Sequence, residues 1–186
     1  MIVYKNILIN KKNLDYSKMN TNTGHSIRNR SKANDVFLTP VVLAKKHIEM
    51  IPYVEGEIWY DPFKNTGNYF NNFPSPETSK WSEILEGKDF FEFDEKVDVI
   101  CSNPPYSMIT KVIEKCIQLQ PRVISFLIGM GNLTTKRIED LNKSGYGLKK
   151  LRMLKVHQWY GMSFIVHFEK GCENCIEIDR QIFHED

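Results

Sequence analysis

The chain has 186 residues, of which 41% are hydrophobic and 26% are charged, and its formal net charge is +2. This length is typical of one globular domain, and charged residues recur throughout. No uncharged apolar run approaches the roughly 20 residues that a membrane-spanning helix needs, so the composition excludes a membrane protein. The amino terminus lacks the successive zones of a secretory signal. With four cysteines, we therefore expect reduced thiols and a cytoplasmic protein.

Charge is unevenly distributed along the chain. Residues 1–50 contain nine Lys or Arg and three Asp or Glu, residues 55–100 contain four basic and eleven acidic residues, and residues 135–155 contain seven basic and two acidic residues. This pattern fits an ordinary solvated surface, or it fits a polyphosphate partner together with a ligand that carries hydroxyl and ammonium groups. The basic residues that we consider for phosphate contacts are Lys136, Arg137, Lys149, Lys150 and Arg152.

The first predicted helix follows a polar, basic amino-terminal segment, residues 1–34, which is too poor in apolar residues to fold alone. Thr39 is predicted at the N-cap of this helix and Pro40 at its first helical position, where a missing N–H costs nothing. Pro52 and Gly56 are predicted to end it. Four residues at helical spacing are expected to face the core: Val41, Ala44, Ile48 and Ile51.

Strands and helices then alternate. The predicted strands cover residues 57–60, 81–84, 97–101, 123–128, 148–156 and 162–168, and the predicted helices cover 107–119 and 134–141. The unbroken apolar run at 123–128 is typical of a central parallel strand that is covered on both faces. This alternation predicts an α/β fold, a three-layer Rossmann-like sandwich with a mostly parallel central sheet.

Acidic and amide side chains follow the first three predicted strands. Asp61 follows the first strand, Glu83 and then Asp89 accompany the second, and Asn103 follows the third. Ligands of such sheets bind at the carboxyl ends of the strands. We therefore expect these side chains to line one site.

The segment Asn103-Pro104-Pro105-Tyr106 is the most informative of these strand ends. Two prolines fix the backbone and remove two N–H donors, so the Asn103 side chain and the Pro104 carbonyl can both act as acceptors. Tyr106 adds a flat aromatic face. Together these residues are suited to hold a planar amino group, whereas a rigid turn that precedes a helix is the plainer interpretation.

With this motif the sequence resembles the S-adenosylmethionine-dependent amino-methyltransferases, and it is most like a small, phage-like catalytic core of the adenine-specific DNA enzymes. Four further segments occur in the order of that family. They are Phe37-Leu38-Thr39-Pro40, the loop from Asp61 to Gly67 that includes Phe63 and Asn65, Asp89-Phe90-Phe91, and Trp159-Tyr160-Gly161. The resemblance spans residues 35–170, so it implies a methyltransferase domain over that range and a tail over 171–186.

The resemblance implies S-adenosyl-L-methionine as cofactor and a role for each matching residue. Phe37, Thr39 and Pro40 would begin the cofactor site, with the helix start receiving the methionine carboxylate. Asp61 would attract the methionine ammonium, and the loop with Phe63, Asn65 and Gly67 would approach the cofactor. Glu83 would accept from the ribose hydroxyls. Asp89 would accept from the adenine amino group, and Phe90 would stack on the adenine.

The implied reaction is methyl transfer to the exocyclic amino group of adenine in DNA. Asn103 and Pro104, held by Pro105, would accept hydrogen bonds from that amino group and stabilise the positive charge that develops on it. Tyr106 would stack on the extruded base. No metal is required. The partner is then DNA, and no membrane partner is expected.

Other interpretations stay open. Asn65 stands where the family has its first glycine, although asparagine tolerates positive φ well. A degenerate protein that binds cofactor weakly or not at all is one alternative, a binding module without chemistry is another, and a protein-glutamine methyltransferase is a third.

Few residues lie outside the resemblance, too few for a separate target-recognition domain. Recognition of a DNA target sequence would then come from the basic amino-terminal segment and residues 134–155, or from a second subunit or a second copy of the chain. Otherwise the specificity for a target sequence would be low. Cys172 and Cys175 have the spacing of half a zinc site, but a turn after the last strand is the simpler interpretation.

Overall fold

A computed structural model describes residues 37–156, 159 and 161–179. It contains α1 (Val41–Ile48), β1 (Trp59–Asp61), β2 (Lys80–Trp81), β3 (Val99–Ser102), α2 (Ile109–Leu119), β4 (Val123–Gly129), α3 (Thr135–Lys143), β5 (Tyr146–Leu154) and β6 (Ser163–Lys170). Short 3-10 turns occur at Phe70–Asn72, Ile84–Glu86, Phe90–Glu92, Tyr106–Met108 and Met130–Asn132. The predicted amino-terminal segment 1–34 lies outside the described residues.

The six strands form one sheet in the order β2-β1-β3-β4-β6-β5. Strands β2, β1, β3 and β4 pair in parallel, and β6 pairs antiparallel with both β4 and β5. Only β6 therefore runs against the other five strands. This topology confirms the predicted α/β fold with a mostly parallel sheet.

Helices cover both faces of this sheet, because its central strands bury side chains on both sides. One face packs against α1 and the Phe70–Asn72 turn through Ala44, Ile48, Trp59, Val99 and Cys101. The other face packs against α2 and α3 through Ile100, Val112, Ile113, Ile124 and Leu141. Alternate residues of β3 thus belong to different cores, and the three predicted layers are confirmed.

The start of α1 differs from the prediction. Pro40, in an extended conformation, occupies the N-cap position, and its carbonyl accepts hydrogen bonds from the N–H groups of Leu43 and Ala44. The prediction of Thr39 as N-cap is wrong, because the buried Thr39 hydroxyl instead accepts a hydrogen bond from Asn103. Val41, predicted to face the core, is 43% exposed.

Other boundaries differ by a few residues. Helix α1 ends at Ile48, before the predicted Pro52. Strand β2 has only two residues, because Glu83 caps the 3-10 turn Ile84–Glu86 through Leu85 N–H. Between β1 and β2 the chain forms only the 3-10 turn Phe70–Asn72. The edge of the sheet formed by β2 is therefore built of short elements.

Residues after β6 cover part of the edge strand β5. Asn174 accepts a hydrogen bond from Leu148 N–H at 2.8 Å and exchanges two amide hydrogen bonds with Asn142 of α3. Cys175 N–H donates to the Leu148 carbonyl at 2.8 Å. Within the described ranges, no helix combines the length and apolarity needed to cross a membrane.

Candidate active site at the carboxyl ends of the parallel strands

Asp61 closes β1 and is fully buried. Its Oδ1 accepts hydrogen bonds from Ser102 Oγ at 2.7 Å and from Phe63 N–H at 3.2 Å, whereas its buried Oδ2 has no hydrogen-bond partner. Burial raises the pKa of Asp61 from 3.8 to about 7, although the Ser102 hydroxyl and the backbone N–H groups of Phe63 and Phe70 oppose the change. A buried carboxylate oxygen without a partner is costly, so this position is suited to a cationic ligand.

The loop after β1 turns twice through positive φ, at Asn65 with φ 48° and at Gly67 with φ 83°. The expectation that Asn65 tolerates this conformation is confirmed. Gly67 is buried, and a Cβ there would lie 2.8 Å from Asn71 Nδ2. The loop keeps its turn despite the missing glycine, and the Asn65 side chain is exposed.

Glu83 supports this loop from the end of β2. One of its carboxylate oxygens accepts from Asn65 N–H at 2.9 Å and the other from Leu85 N–H at 3.1 Å. Lys64 also connects the loop after β1 to β2 and the 3-10 turn that follows it. Its ammonium group contacts Glu86 at 3.0 Å and lies 3.6 Å from the Trp81 ring centroid. Lys88 lies on the same ring at 3.7 Å. The ribose-binding role of Glu83 stays a prediction.

Asp89 and Phe90 follow on the same side of the sheet. Asp89 Oδ1 accepts from Phe91 N–H at 2.8 Å and so caps a 3-10 turn. Phe90 is 3% exposed and packs edge-on against Phe63, with 5.2 Å between ring centroids. The half-buried Phe63 therefore covers part of Phe90, and the predicted stacking of Phe90 on an adenine stays a prediction.

Asn103 lies directly after β3, next to the strand end that carries Ser102. Its Nδ2 donates to the Phe37 carbonyl and to Thr39 Oγ1, both at 3.2 Å. Its Oδ1 is buried and has no hydrogen-bond partner. The nitrogen end of this amide is therefore held, and its oxygen is available as an acceptor.

Pro104 and Pro105 hold the backbone after Asn103, and Pro104 is buried. Pro105 precedes the 3-10 turn that begins at Tyr106. The Tyr106 ring stacks on Phe37, with 5.5 Å between centroids and 23° between ring planes. Trp159 meets Phe37 edge-on at 5.6 Å. Three aromatic side chains from distant parts of the sequence therefore lie together beside Asn103.

The structure brings together most of the residues that the sequence singled out. Asn103 forms hydrogen bonds with both Phe37 and Thr39. Asp61 is hydrogen-bonded to Ser102, which immediately precedes Asn103 at the end of β3. Tyr160 lies outside the described residues. Sequence reasoning missed Ser102 and Lys64, and only the polar identity of Ser102 within an apolar strand was a usable signal.

The basic residues considered for phosphate contacts are mostly engaged within the chain. Lys136 pairs with Asp140, Lys149 with Glu169, and Lys150 donates to the Met50 carbonyl. Arg137 donates to the Asn132 carbonyl at 2.8 Å. Cys172 and Cys175 are free thiols, and no group of three potential metal ligands occurs within residues 37–156, 159 and 161–179.

Several solved structures with similar folds are methyltransferases. The magnesium protoporphyrin IX methyltransferase of Synechocystis PCC 6803, solved with bound SAM, has a TM-score of 0.53 at 11% identity, over 80% of this chain and 93% of that one. The 23S rRNA methyltransferase ErmE has a TM-score of 0.53 at 9% identity, over 76% and 72%.

The Mtq2-Trm112 complex of E. cuniculi, responsible for methylating the termination factor eRF1, has a TM-score of 0.51 at 17% identity, over 75% of this chain and 100% of that one. No protein-family model matches the sequence, and no curated protein matches it. The chain thus has the Rossmann-like fold of S-adenosylmethionine-dependent methyltransferases.

Proposed function

We propose that this chain is an S-adenosylmethionine-dependent methyltransferase that modifies the exocyclic amino group of adenine in DNA. The observation that carries the proposal is the Asn103 side chain. Its nitrogen is held by two acceptors, whereas its buried oxygen has none. Such an oxygen is preorganised to accept a hydrogen bond from an amino group.

The residues of the site fit the cofactor. Asp61 Oδ2 is buried without a hydrogen-bond partner, and an ammonium group is the ligand that would satisfy it. Unpaired N–H groups at the start of α1 are suited to a carboxylate. When bound, the cofactor supplies an electrophilic methyl group on a sulfonium. Glu83 would then accept hydrogen bonds from the ribose hydroxyls and Asp89 from the adenine amino group, as the family resemblance implies.

Asn103 acts on the target nitrogen. The lone pair of an adenine amino group is delocalised into the ring, so this nitrogen is a poor nucleophile. Hydrogen bonds to Asn103 Oδ1 and to the Pro104 carbonyl favour a tetrahedral nitrogen and stabilise its developing positive charge. Held by these two acceptors, the nitrogen lone pair would take the methyl group that the cofactor would supply while sulfur keeps the electrons of the broken bond, and the nitrogen would then lose one proton to water.

The aromatic cluster of Phe37, Tyr106 and Trp159 supports a planar target. A base that leaves the duplex loses its stacking, and an aromatic surface beside Asn103 offsets part of that cost. A glutamine side chain would gain less from such a surface. The basic residues of α3 and β5 contribute little support for DNA, since four of the five considered are engaged within the chain.

The test is a transfer assay with methyl-labelled S-adenosylmethionine on duplex DNA, single-stranded DNA, RNA and glutamine-containing protein. We expect label in DNA, recovered as N6-methyladenine after nuclease digestion and mass spectrometry. The variant Asn103→Ala should lose transfer and still bind cofactor in isothermal titration. A Lys96→Ala variant is the matched control that should keep transfer, because the Lys96 side chain is 83% exposed and precedes β3, whereas Asn103 follows that strand.

Each alternative gives a different result. Label in glutamine would show the protein-methyltransferase interpretation to be correct, and label in RNA alone would refute the DNA substrate. Cofactor binding without transfer to any substrate would point to a degenerate or binding-only protein. If isothermal titration with S-adenosylmethionine gave no heat of binding, the proposal that the chain is a methyltransferase would be refuted. A second subunit or a second copy of the chain stays our proposal for the source of sequence choice.

A further inference from the structure

Ser102 is a buried polar residue at the end of an apolar strand. It is the last residue of β3 and, like Asp61, it is 0% exposed. Its Oγ donates to Asp61 Oδ1 at 2.7 Å, and the two residues are 41 positions apart in the sequence. A buried hydroxyl is costly unless it is hydrogen-bonded, and Asp61 is the partner that the structure gives it. The role of Ser102 is therefore to be sought at Asp61.

The hydrogen bond from Ser102 makes the two oxygens of Asp61 unequal. Oδ1 accepts from Ser102 Oγ and, at 3.2 Å, from Phe63 N–H, whereas the buried Oδ2 accepts from no group. The terminal torsion of an aspartate side chain is broad, so rotamer preference alone does not fix the plane of its carboxylate. Two donors from different segments, β3 and the loop after β1, fix that plane. Oδ2 is therefore held in one direction.

The same hydrogen bond favours the charged form of Asp61. Burial raises the pKa of this carboxyl to about 7, and the nearby Glu83 carboxylate raises it further, whereas the bond from Ser102 lowers it. A hydroxyl that donates to a carboxylate stabilises its negative charge. Three neighbouring groups stay protonated at pH 7, because burial raises the pKa of each, and they are Tyr60, Tyr69 and Cys101. Ser102 thus helps Asp61 to carry the charge that a cationic ligand needs.

Ser102 is placed to act through Asp61 rather than on a ligand directly. Its side chain is fully buried, and a serine hydroxyl has a single proton, which Ser102 gives to Asp61. The next residue along the chain is Asn103, whose Oδ1 is buried without a hydrogen-bond partner. Consecutive residues at the end of β3 therefore support the acid of the cofactor site and present the acceptor for the target.

We infer that Ser102 is a positioning residue, which holds the Asp61 carboxylate with its Oδ2 directed at the ammonium group of S-adenosylmethionine. This inference rests on the proposed function in one respect, namely that Asp61 receives the ammonium group. It does not depend on adenine or DNA being the substrate. Ser102 itself contacts neither cofactor nor target.

The test compares Ser102→Ala with Ser82→Ala in isothermal titration with S-adenosylmethionine at pH 7. Ser82 is 2% exposed, its Oγ lies 2.6 Å from the Tyr60 hydroxyl, and its N–H donates to the backbone carbonyl of Asp61 at 3.0 Å. Replacing Ser82 therefore removes a buried serine hydroxyl beside β1 and leaves the Asp61 carboxylate as it is. We expect about tenfold weaker binding in Ser102→Ala, the usual effect of one lost hydrogen bond to a charged group, and unchanged binding in Ser82→Ala.

A second ligand and a spectroscopic readout separate this role from a merely structural one. Methylthioadenosine has the nucleoside and a thioether but no ammonium group, so Ser102→Ala should bind it as tightly as the unaltered protein does. In carbon-13 NMR of the ligand-free protein, the Asp61 carboxyl should titrate at a higher pH in Ser102→Ala and at an unchanged pH in Ser82→Ala. If Ser102→Ala does not fold, Ser102→Cys keeps a side chain of similar size with a weak donor and undergoes the same comparisons.

Three outcomes would overturn the inference and leave the proposed function standing. They are an unchanged affinity of Ser102→Ala for S-adenosylmethionine, equal losses of affinity for S-adenosylmethionine and methylthioadenosine, and an Asp61 titration that is the same in Ser102→Ala and in the unaltered protein. An unaltered protein that binds the cofactor but methylates no DNA, combined with the expected losses in Ser102→Ala, would refute the proposed function alone. Absence of cofactor binding in the unaltered protein would overturn both.

Discussion

Replacing Asp61 with asparagine should stabilise the ligand-free protein at high pH. Burial raises the pKa of this carboxyl from 3.8 to about 7, with hydrogen bonds from Ser102 and Phe63 opposing the change. The folded state therefore holds the proton more tightly than the unfolded state does. The stability that this proton contributes is complete below pH 3.8 and is lost as pH rises through about 7.

The size of the effect follows from the same two values. The difference between 3.8 and about 7 corresponds to at most about 4 kcal/mol, since one pKa unit is worth about 1.36 kcal/mol. Asparagine keeps an oxygen for Ser102 Oγ and Phe63 N–H and carries no charge. We therefore expect Asp61→Asn to raise the free energy of unfolding by about 1–4 kcal/mol at pH 8 and by much less at pH 5.

The assay is urea unfolding of the ligand-free protein, followed by the fluorescence of its three tryptophans, at pH 5 and pH 8. Asp98→Asn is the control, because Asp98 accepts from Ile58 N–H at 2.9 Å but its side chain is 24% exposed. This control should gain nothing at pH 8. Equal effects of Asp61→Asn at the two pH values, or a loss of stability at pH 8, would refute the reasoning. The variant should also bind S-adenosylmethionine far more weakly.

Three further predictions concern the target, the loop and the basic surface. Tyr106→Ala should raise the KM for DNA about tenfold or more, through lost stacking, with cofactor affinity unchanged in isothermal titration; a loss of cofactor affinity alone would contradict its role. Gly67→Ala and Gly87→Ala, both at φ near 80°, should each cost about 1–2 kcal/mol in thermal unfolding, but only Gly67→Ala should weaken cofactor binding. Arg152→Ala should reduce the salt dependence of DNA binding by about one phosphate contact, whereas Lys149→Ala, paired with Glu169, should change it little; the reverse order in a fluorescence titration would show the assignment to be wrong.

Much of the fold could be predicted because its signals are local. The apolar run at 123–128 became the buried centre of β4, and the helical spacing of Ile109, Val112 and Cys116 became the buried face of α2. Thr134 caps α3 through Arg137 N–H. In each case a residue's role depends on neighbours a few positions away, and those neighbours are visible in the sequence.

The failures occurred where a distant partner competed with a local preference. Threonine is a residue type that favours the N-cap position, but the Thr39 side chain accepts a hydrogen bond from Asn103 instead, and Pro40 occupies the N-cap position. The strand predicted over residues 81–84 ends at Trp81, because Glu83 instead accepts hydrogen bonds from the backbone N–H groups of Leu85 and of Asn65, in the loop after β1. Local propensity is weak enough for one tertiary hydrogen bond to override it.

The sequence by itself determined the order of the elements and the kinds of polar groups at their ends, because patterning and turn chemistry act over short stretches of chain. Only the tertiary structure decided that Asp61 is buried, that the oxygen of Asn103 lacks a hydrogen-bond partner, and that His47 is hydrogen-bonded to both Ser125 and Tyr69. Burial and hydrogen-bond direction depend on residues that folding brings together, and Asn103 and Thr39 are 64 positions apart while His47 and Ser125 are 78 apart.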